Sequence, residues 1–310
     1  MSMAIAIHGG AGVIRREDMT PGKEQAMREG LAEALEAGHR VLREGGSSLD
    51  AVVAAVASME DNPNFNAGRG AVFTLDGTIE LEAAVMDGCR QDAGSVIGVT
   101  RAKNPVRLAR KVMEAAPHVT LAGKAADAFA AAQGLECVES GYYFTEARWQ
   151  ALLLEKARLG QGGAVQGAPE DRKHGTVGAV ALDIEGHLAA ATSTGGRTAK
   201  WPGRVGDTAV IGAGTWADHA CAVSCTGYGE MFIRAAAAHT VSARMNYLRQ
   251  SLWEACDAVI MDTLLPMEGT GGLIGVDAEG NIAMPLNCAG MYRAMVDGQG
   301  RRKLAIYADE

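Results

Sequence analysis

Apolar positions from Met3 to His8 form a short run that breaks into Gly9–Gly12, which predicts a strand entering a turn. From Thr20 to Arg43 the apolar residues recur at helical spacing among charges, and Glu44-Gly45-Gly46 ends the pattern, so an amphipathic helix is expected there. Leu49 to Met59 is apolar nearly all round, the mark of a buried helix, with Ser47 or Ser48 placed to cap it. Asn62–Gly70 reads as a loop. Short strands are expected near Ala71–Leu75, Leu81–Asp87 and Gly94–Val99. Helices follow over Asn104–Glu114, where Pro105 suits a first turn, and over Lys124–Gln133 and Thr145–Arg158.

The texture then changes. Residues 160–175, GQGGAVQGAPEDRKHG, hold five glycines and one proline and lack aromatics, so they read as an exposed flexible linker. Directly after it the pattern turns strongly β. TVGAVALD, a turn at Glu185-Gly186 and HLAAATST form a hairpin signature. Further strands are expected near Val210–Ala213 and Ala220–Cys225, helices over Met231–Arg244 and Leu252–Met261, and a last hairpin from GGLIGVD and GNIAMP, with strands completing the chain. Helices sit centrally in each half and strands at the ends of the halves. That arrangement favours an α+β layered sandwich over a doubly wound sheet.

Composition narrows the function. The net charge of −8 gives no overall electrostatic footprint for nucleic acid or an anionic membrane. Arg301, Arg302 and Lys303 make the longest basic run and read as a solvated tail segment. Six cysteines are scattered without CxxC or paired Cys/His spacing, against a zinc site. The first residues lack a basic region before the apolar run, and no run approaches 18 apolar residues, so a cytoplasmic setting without a membrane span is expected.

Forty glycines, well above the usual share of roughly 7%, cluster in packets. His8–Gly12, HGGAG, lacks the third glycine of a dinucleotide fingerprint, and no GxSxG elbow accompanies it. A structural turn is its plain reading. Three packets pair hydroxyls with glycine: Gly175-Thr176-Val177-Gly178, Thr192–Gly196 and Thr226–Glu230. Arg204 and Asp207 lie three apart in a Gly-flanked loop, able to bind the two charged ends of an amino acid or to form an ordinary ion pair. A threonine needs no Ser-His-Asp set if it becomes a chain terminus, because its own α-amine then serves as base. A cut before Thr176 meets that condition, with Gly175 as the least hindered acyl partner.

In this order and spacing, IAIHGGAG (5–12), NFNAGRGAVF (64–73), ELEAAVMDG (80–88), NPVRLARKVME (104–114), HGTVGAVALD (174–183), AATSTGG (190–196), PGRVGD (202–207), VSCTGYGE (223–230) and GTGGLIGVD (269–277) resemble the plant-type L-asparaginase/isoaspartyl peptidase family of N-terminal nucleophile hydrolases, over essentially the whole chain. The resemblance implies one four-layer αββα domain over residues 1–310. Autocleavage at Gly175–Thr176 would give an α subunit (1–175) and a β subunit (176–310) in an (αβ)₂ heterotetramer. It implies hydrolysis of L-asparagine and β-aspartyl (isoaspartyl) dipeptides through a β-aspartyl ester on Thr176. Thr194 matches the residue supporting the nucleophile, and Thr226 with the Gly227 N–H matches the oxyanion donors. Arg204 and Asp207 match the substrate carboxylate and ammonium partners, with Gly227 and Gly229 as further substrate-binding positions. The loop from Met59 to Arg69 resembles the family's sodium loop, with the backbone carbonyls of Met59, Glu60, Asn62, Phe65, Ala67 and Arg69 as ligands, and no cofactor is implied for the chemistry. Tyr228 fills a position where relatives carry smaller or other polar residues. A glycosylasparaginase-like hydrolase, or a non-catalytic amino-acid-binding protein that never matures, are the alternatives.

Overall fold

A computed structural model describes residues 2–160 and 175–310. The expected linker therefore lies almost wholly outside the described residues. Twelve strands form two sheets among the described residues. In the larger, β1 (Ala4–Gly12) is flanked by β11 (Gly290–Val296) and β5 (Val177–Leu182). Beyond β5 come β6 (Leu188–Thr194), β2 (Leu81–Asp87), β3 (Asp92–Val99) and β4 (Thr120–Ala122), and beyond β11 comes β12 (Arg302–Tyr307). All neighbours are antiparallel except β3 and β4. The smaller sheet runs β10 (Ile282–Ala283), β9 (Gly271–Asp277), β8 (Cys221–Gly227) and β7 (Thr215–Ala217).

Strand alternation sorts side chains into distinct interiors. On β1, Ile5 and Ile7 join one core, which also holds residues of α1 (Pro21–Arg43) and α2 (Ser48–Asp61), while Ala4 and Ala6 face the other way. On β5, Val177, Ala179 and Ala181 follow the first set, and Val180 and Leu182 the second. The second set meets Ala222, Ile274 and Val276 from β8 and β9, so it fills the space between the sheets. Cys221, Val223 and Cys225, on the opposite face of β8, pack with residues of α7 (Ala237–Leu248) and α8 (Leu252–Ala258). Alanines and larger Leu, Ile, Val and Met side chains together fill this inter-sheet layer.

The helices begin as the sequence dictates. Thr20 Oγ1 accepts the Lys23 N–H at 3.3 Å ahead of Pro21, and Ser47 Oγ accepts the Asp50 N–H at 3.1 Å. Helices α3 (Pro105–Ala115), α4 (Gly123–Ala132) and α5 (Glu146–Gly160) occupy the expected places.

Four expectations are corrected. Gly9–Gly12 is not a turn but the second half of β1, with a register shift between His8 and Gly10. Ala71–Leu75 is not a strand: it lacks a continuous partner, and Thr74 makes an isolated bridge to Lys200. Val210–Ala213 likewise yields a single bridge, Ile211 to Thr215, and β7 forms just after it. The helix expected over Met231–Arg244 breaks at Ala236, whose φ of 44° places it in the left-handed region, between α6 (Gly229–Ala235) and α7. The basic run Arg301–Lys303 enters edge strand β12, where charge discourages pairing with other chains. No described helix is long and apolar enough to cross a membrane.

Candidate active site

The inter-sheet layer is apolar at one end and polar at the other. Thr176, just ahead of β5, and Gly178 within it continue the face of Val180 and Leu182, and on β6, Thr192 and Thr194 continue that of Ala190. From β8, Ser224 and Thr226 extend the Ala222 face. All these side chains are buried. Sheet pairing thus gathers residues far apart in sequence at one end of the interior.

Thr176 stands immediately before β5. Its hydroxyl donates to Thr194 Oγ1 at 3.2 Å, and its backbone N–H donates to Thr226 Oγ1 at 3.3 Å. Thr226 Oγ1 also accepts the Ala11 N–H at 3.2 Å, which ties β8 to β1 at the same point. The Gly196 N–H donates to Thr194 Oγ1 at 2.9 Å, so the strand-end glycines hold the hydroxyl that receives Thr176. Gly10, at φ 112°, lies against Gly175, and a Cβ on either residue would collide with the backbone of the other. This contact explains a glycine of the HGGAG packet that a turn reading does not. Of the expected catalytic residues, Thr176, Thr194 and Thr226 are brought together. Gly227 follows at the end of β8, its φ of 155° matched by Gly271 opposite it.

A charged group adjoins these hydroxyls. Arg204 donates from Nε and Nη2 to the two carboxylate oxygens of Glu230, at 3.1 and 3.0 Å. It is therefore not an ordinary partner of Asp207. Burial pushes the Asp207 carboxyl up to about 7 against the opposing pull of Arg204, and its Oδ2 has no hydrogen-bond partner in the protein. Gly229 closes on both residues: a Cβ there would sit 2.6 Å from Asp207 Oδ1 and 3.1 Å from Arg204 Nη2. Gly196 links the two groups, since a Cβ on it would lie 3.1 Å from Lys200 Nζ and 3.4 Å from Arg204 Nη1. A buried acid with an unpartnered oxygen, beside an arginine fork, suits a small zwitterion.

Sequence reasoning missed several residues around this group. Glu82 is buried on β2, accepts the Gly206 N–H at 3.0 Å and is pushed up by burial, with Lys200 and Arg204 opposing. Lys200 is pushed down by burial and donates to the Glu80 carbonyl at 2.7 Å. The signal was a lone acid inside an apolar strand, which must find cations nearby. Asn66 donates to the Gly196 carbonyl at 2.7 Å and accepts the Val72 N–H at 3.0 Å, bracing the loop that carries Thr194. Its signal is weaker, one amide in a polar loop.

The expected sodium ligands run from the last turn of α2, which holds Met59 and Glu60, to Arg69. Met59, Asn62 and Ala67 carbonyls each accept one N–H at 3.2 Å, from Asn62, Phe65 and Gly70. The Glu60 carbonyl lies against Gly68, at φ 50°, and the Phe65 carbonyl against Gly70, so close that a Cβ on either glycine would collide. Glycine at these two positions lets the loop fold back tightly on its own carbonyls. The Glu60 side chain points elsewhere. It accepts from Ser193 Oγ at 2.6 Å and the Val106 N–H at 3.0 Å, and burial pushes it up to about 8. Arg148 on α5 donates to the Gly70 carbonyl at 2.8 Å, and burial lowers it to about 10.

The asparaginase family model matches residues 1–306. An isoaspartyl peptidase of Escherichia coli (strain K12) is 52% identical over 296 residues, covering 94% of this chain and 91% of the relative. A plant-type L-asparaginase of Thermococcus kodakarensis is 44% identical, covering 98% and 99%. A probable isoaspartyl peptidase/L-asparaginase 2 of Arabidopsis thaliana is 39% identical, covering 98% of each. The chain belongs to the asparaginase family and is a hydrolase of the N-terminal nucleophile type.

Proposed function

We propose that this protein cuts its own chain between Gly175 and Thr176 and then hydrolyses the β-amide of L-asparagine and of β-aspartyl dipeptides, releasing L-aspartate. The observation that carries the reading is the Thr176 hydroxyl, buried 3.2 Å from Thr194 Oγ1 beside the Arg204–Asp207–Gly229 group. In the first reaction Thr176 Oγ1 attacks the Gly175 carbonyl carbon, the C–N bond breaks and the nitrogen takes up the proton. Water then cleaves the resulting ester, leaving a Gly175 carboxylate and a free Thr176 amine. Gly10 supports this step by admitting the Gly175 backbone.

In turnover the Thr176 amine accepts the hydroxyl proton as Oγ1 attacks the β-carbonyl. The leaving nitrogen takes that proton, and water hydrolyses the β-aspartyl ester. Thr226 and the Gly227 N–H face the developing oxyanion in this reading, a contribution of a few kcal/mol. Before the cut, Thr226 Oγ1 accepts the Thr176 N–H, so the same hydroxyl serves precursor and mature enzyme in different ways. Arg204 takes the substrate α-carboxylate by sharing its fork with Glu230, and Asp207 takes the α-ammonium. Arrival of that cation pulls the Asp207 proton off.

The same reading includes a four-layer αββα domain, supported by the helix–sheet and sheet–sheet cores described above. It includes subunits 1–175 and 176–310 in an (αβ)₂ assembly, and a cytoplasmic setting. Sodium held by the carbonyls of Met59, Glu60, Asn62, Phe65, Ala67 and Arg69 would supply fixed charge that stiffens the loop behind Asn66. No cofactor enters the chemistry. Intact mass spectrometry of the denatured protein tests the reading first. Two masses matching 1–175 and 176–310, with asparagine and β-aspartyl dipeptide turnover, are expected. Thr176→Ala should give one full-length mass and lose turnover by about 10⁴-fold or more. Wild-type-like turnover in that variant, or a wild type that stays whole and only binds aspartate, would sink it. Faster release of glucosamine-linked aspartate than of dipeptide leaving groups would shift the substrate assignment.

A further inference from the structure

His8 takes no part in the chemistry just described, yet it is buried against Thr176. Its Nδ1 lies 2.9 Å from the Thr176 carbonyl oxygen, and its Nε2 lies 2.9 Å from Ser224 Oγ. A carbonyl can only accept, so Nδ1 carries the hydrogen. Burial pushes the imidazole down to about 3, which keeps the ring neutral and leaves Nε2 as an acceptor. Ser224 must therefore donate to His8. Its oxygen then accepts from Thr192 Oγ1 at 2.7 Å, and Thr192 in turn accepts from Thr215 Oγ1 at 2.7 Å. Every donor in the sequence Thr215, Thr192, Ser224, His8 points the same way, and the chain ends on the Thr176 carbonyl.

This chain crosses the inter-sheet layer three times. Thr215 and Ser224 belong to the small sheet, and Thr192 and His8 to the large one. All four side chains are fully buried. Gly178 shows how closely the fold is built around it. His8 pairs with Gly178 across β1 and β5, and a Cβ on Gly178 would collide with Ser224 Oγ and sit 2.5 Å from His8 Nε2. The third residue of Thr176-Val177-Gly178 leaves room for the bond between His8 and Ser224.

We propose that His8, supported by Ser224, Thr192 and Thr215, is a positioning residue that clamps Thr176 by its carbonyl once the chain has been cut. The inference rests on the catalytic reading given above. Before cleavage Thr176 is tethered on both sides. Afterwards it is a terminus, and termini fray unless tied down. The only covalent tether left runs through its own carbonyl. Fixing that carbonyl fixes the Cα from which both the amine and the hydroxyl project, so nucleophile and base stay aligned.

The clamp therefore matters to turnover and not to the self-cut. In Ser224→Ala, processing should finish within about twofold of the wild-type half-time and KM should hold within about twofold. The value of kcat should fall about tenfold, the cost of roughly one neutral hydrogen bond. Thr192→Val keeps shape and loses the hydroxyl, and should lower kcat about threefold, while Thr192→Ser restores it. Thr192→Val also serves if Ser224→Ala folds poorly. A second readout needs no turnover: periodate cleaves an N-terminal threonine at its amino-alcohol bond, and it should react several-fold faster with mature Ser224→Ala than with wild type. Wild-type kcat in both variants overturns the clamp, as does a parallel loss of processing and kcat or an unchanged periodate rate. A mature wild type with no turnover would instead strike at the catalytic reading, because the periodate comparison still reports on the clamp.

Discussion

Two neighbouring regions of the site use opposite physics. Around Thr176 the partners are neutral hydroxyls and an uncharged imidazole, all drawn from strand faces. A few residues away, buried Glu82, Lys200 and Asp207 and half-buried Arg204 and Glu230 form a cluster of opposing charges, three of them in the loop between β6 and β7. Neutral hydrogen bonds contribute about 1 kcal/mol each, whereas a buried charge deprived of its partner costs several. The reacting atoms are therefore held by many weak, directional contacts, and the substrate head by a few strong ones. Substitutions in the two regions should differ in size and in which kinetic parameter they move.

Short of removing the nucleophile itself, the largest effect is expected at Asp207. Asp207→Asn should lower kcat/KM for asparagine by roughly 100-fold or more, mostly through KM, because a charge-assisted contact to the substrate ammonium is lost. The pH profile sharpens the point. Below about 7 the wild-type carboxyl is protonated in the empty site, so kcat/KM should rise as pH passes upward through that value. Stability runs the other way. The folded-state pKa is raised, so between about 4 and 7 the native state binds more protons than the unfolded chain, and stability falls as pH rises through that window. Above pH 7 the full penalty applies, at most about 4 kcal/mol. Asp207→Asn should therefore raise Tm more at pH 8 than at pH 4. An equal Tm change at both values would show that Asp207 carries no such strain.

The same contrast explains what the sequence made legible. Helical spacing located most helices, and short continuous apolar runs located the principal strands, because β1, β5, β6 and β8 are buried on both faces. These patterns failed at Gly9–Gly12, where glycine continues a strand so that Gly175 fits beside it, and at Ala236, where no glycine marks the left-handed break. The hydroxyl–glycine packets exposed Thr176, Thr194 and Thr226, and the Arg204/Asp207 spacing exposed the head group. Glu82, Lys200 and Asn66 stayed hidden because their roles exist only once β2, β6 and the following loop are side by side. His8 was read as part of a glycine turn, since nothing local marks a histidine whose partners are Thr176 and Ser224.

A smaller effect is expected in the hydroxyl region. Thr194→Val removes the acceptor of the Thr176 hydroxyl and leaves the Gly196 N–H without its partner. The value of kcat should fall about tenfold with KM within about threefold, and Thr194→Ser should recover most of it. A change confined to KM would place Thr194 with the head-group residues and erase the distinction between the regions.

The smallest effect lies at the rim, where the two physics meet. The Arg197 guanidinium sits over the Tyr228 ring at 4.9 Å, and its Nη1 lies 4.0 Å from Glu230 Oε2, the oxygen that Arg204 Nη2 already holds at 3.0 Å. The aromatic face thus keeps a second cation near Glu230 without letting it displace Arg204. A cation–π contact of this exposure is worth about 0.5–1 kcal/mol. Tyr228→Leu keeps bulk and removes most of that attraction, so Arg197 becomes free to compete for Glu230 and loosen the fork that takes the α-carboxylate. KM for asparagine should rise two- to fivefold with kcat unchanged. Adding Arg197→Met to Tyr228→Leu should bring KM back, because the competitor is gone. If the double variant is no better than the single one, Tyr228 acts by shape alone, and the charged region ends at Glu230.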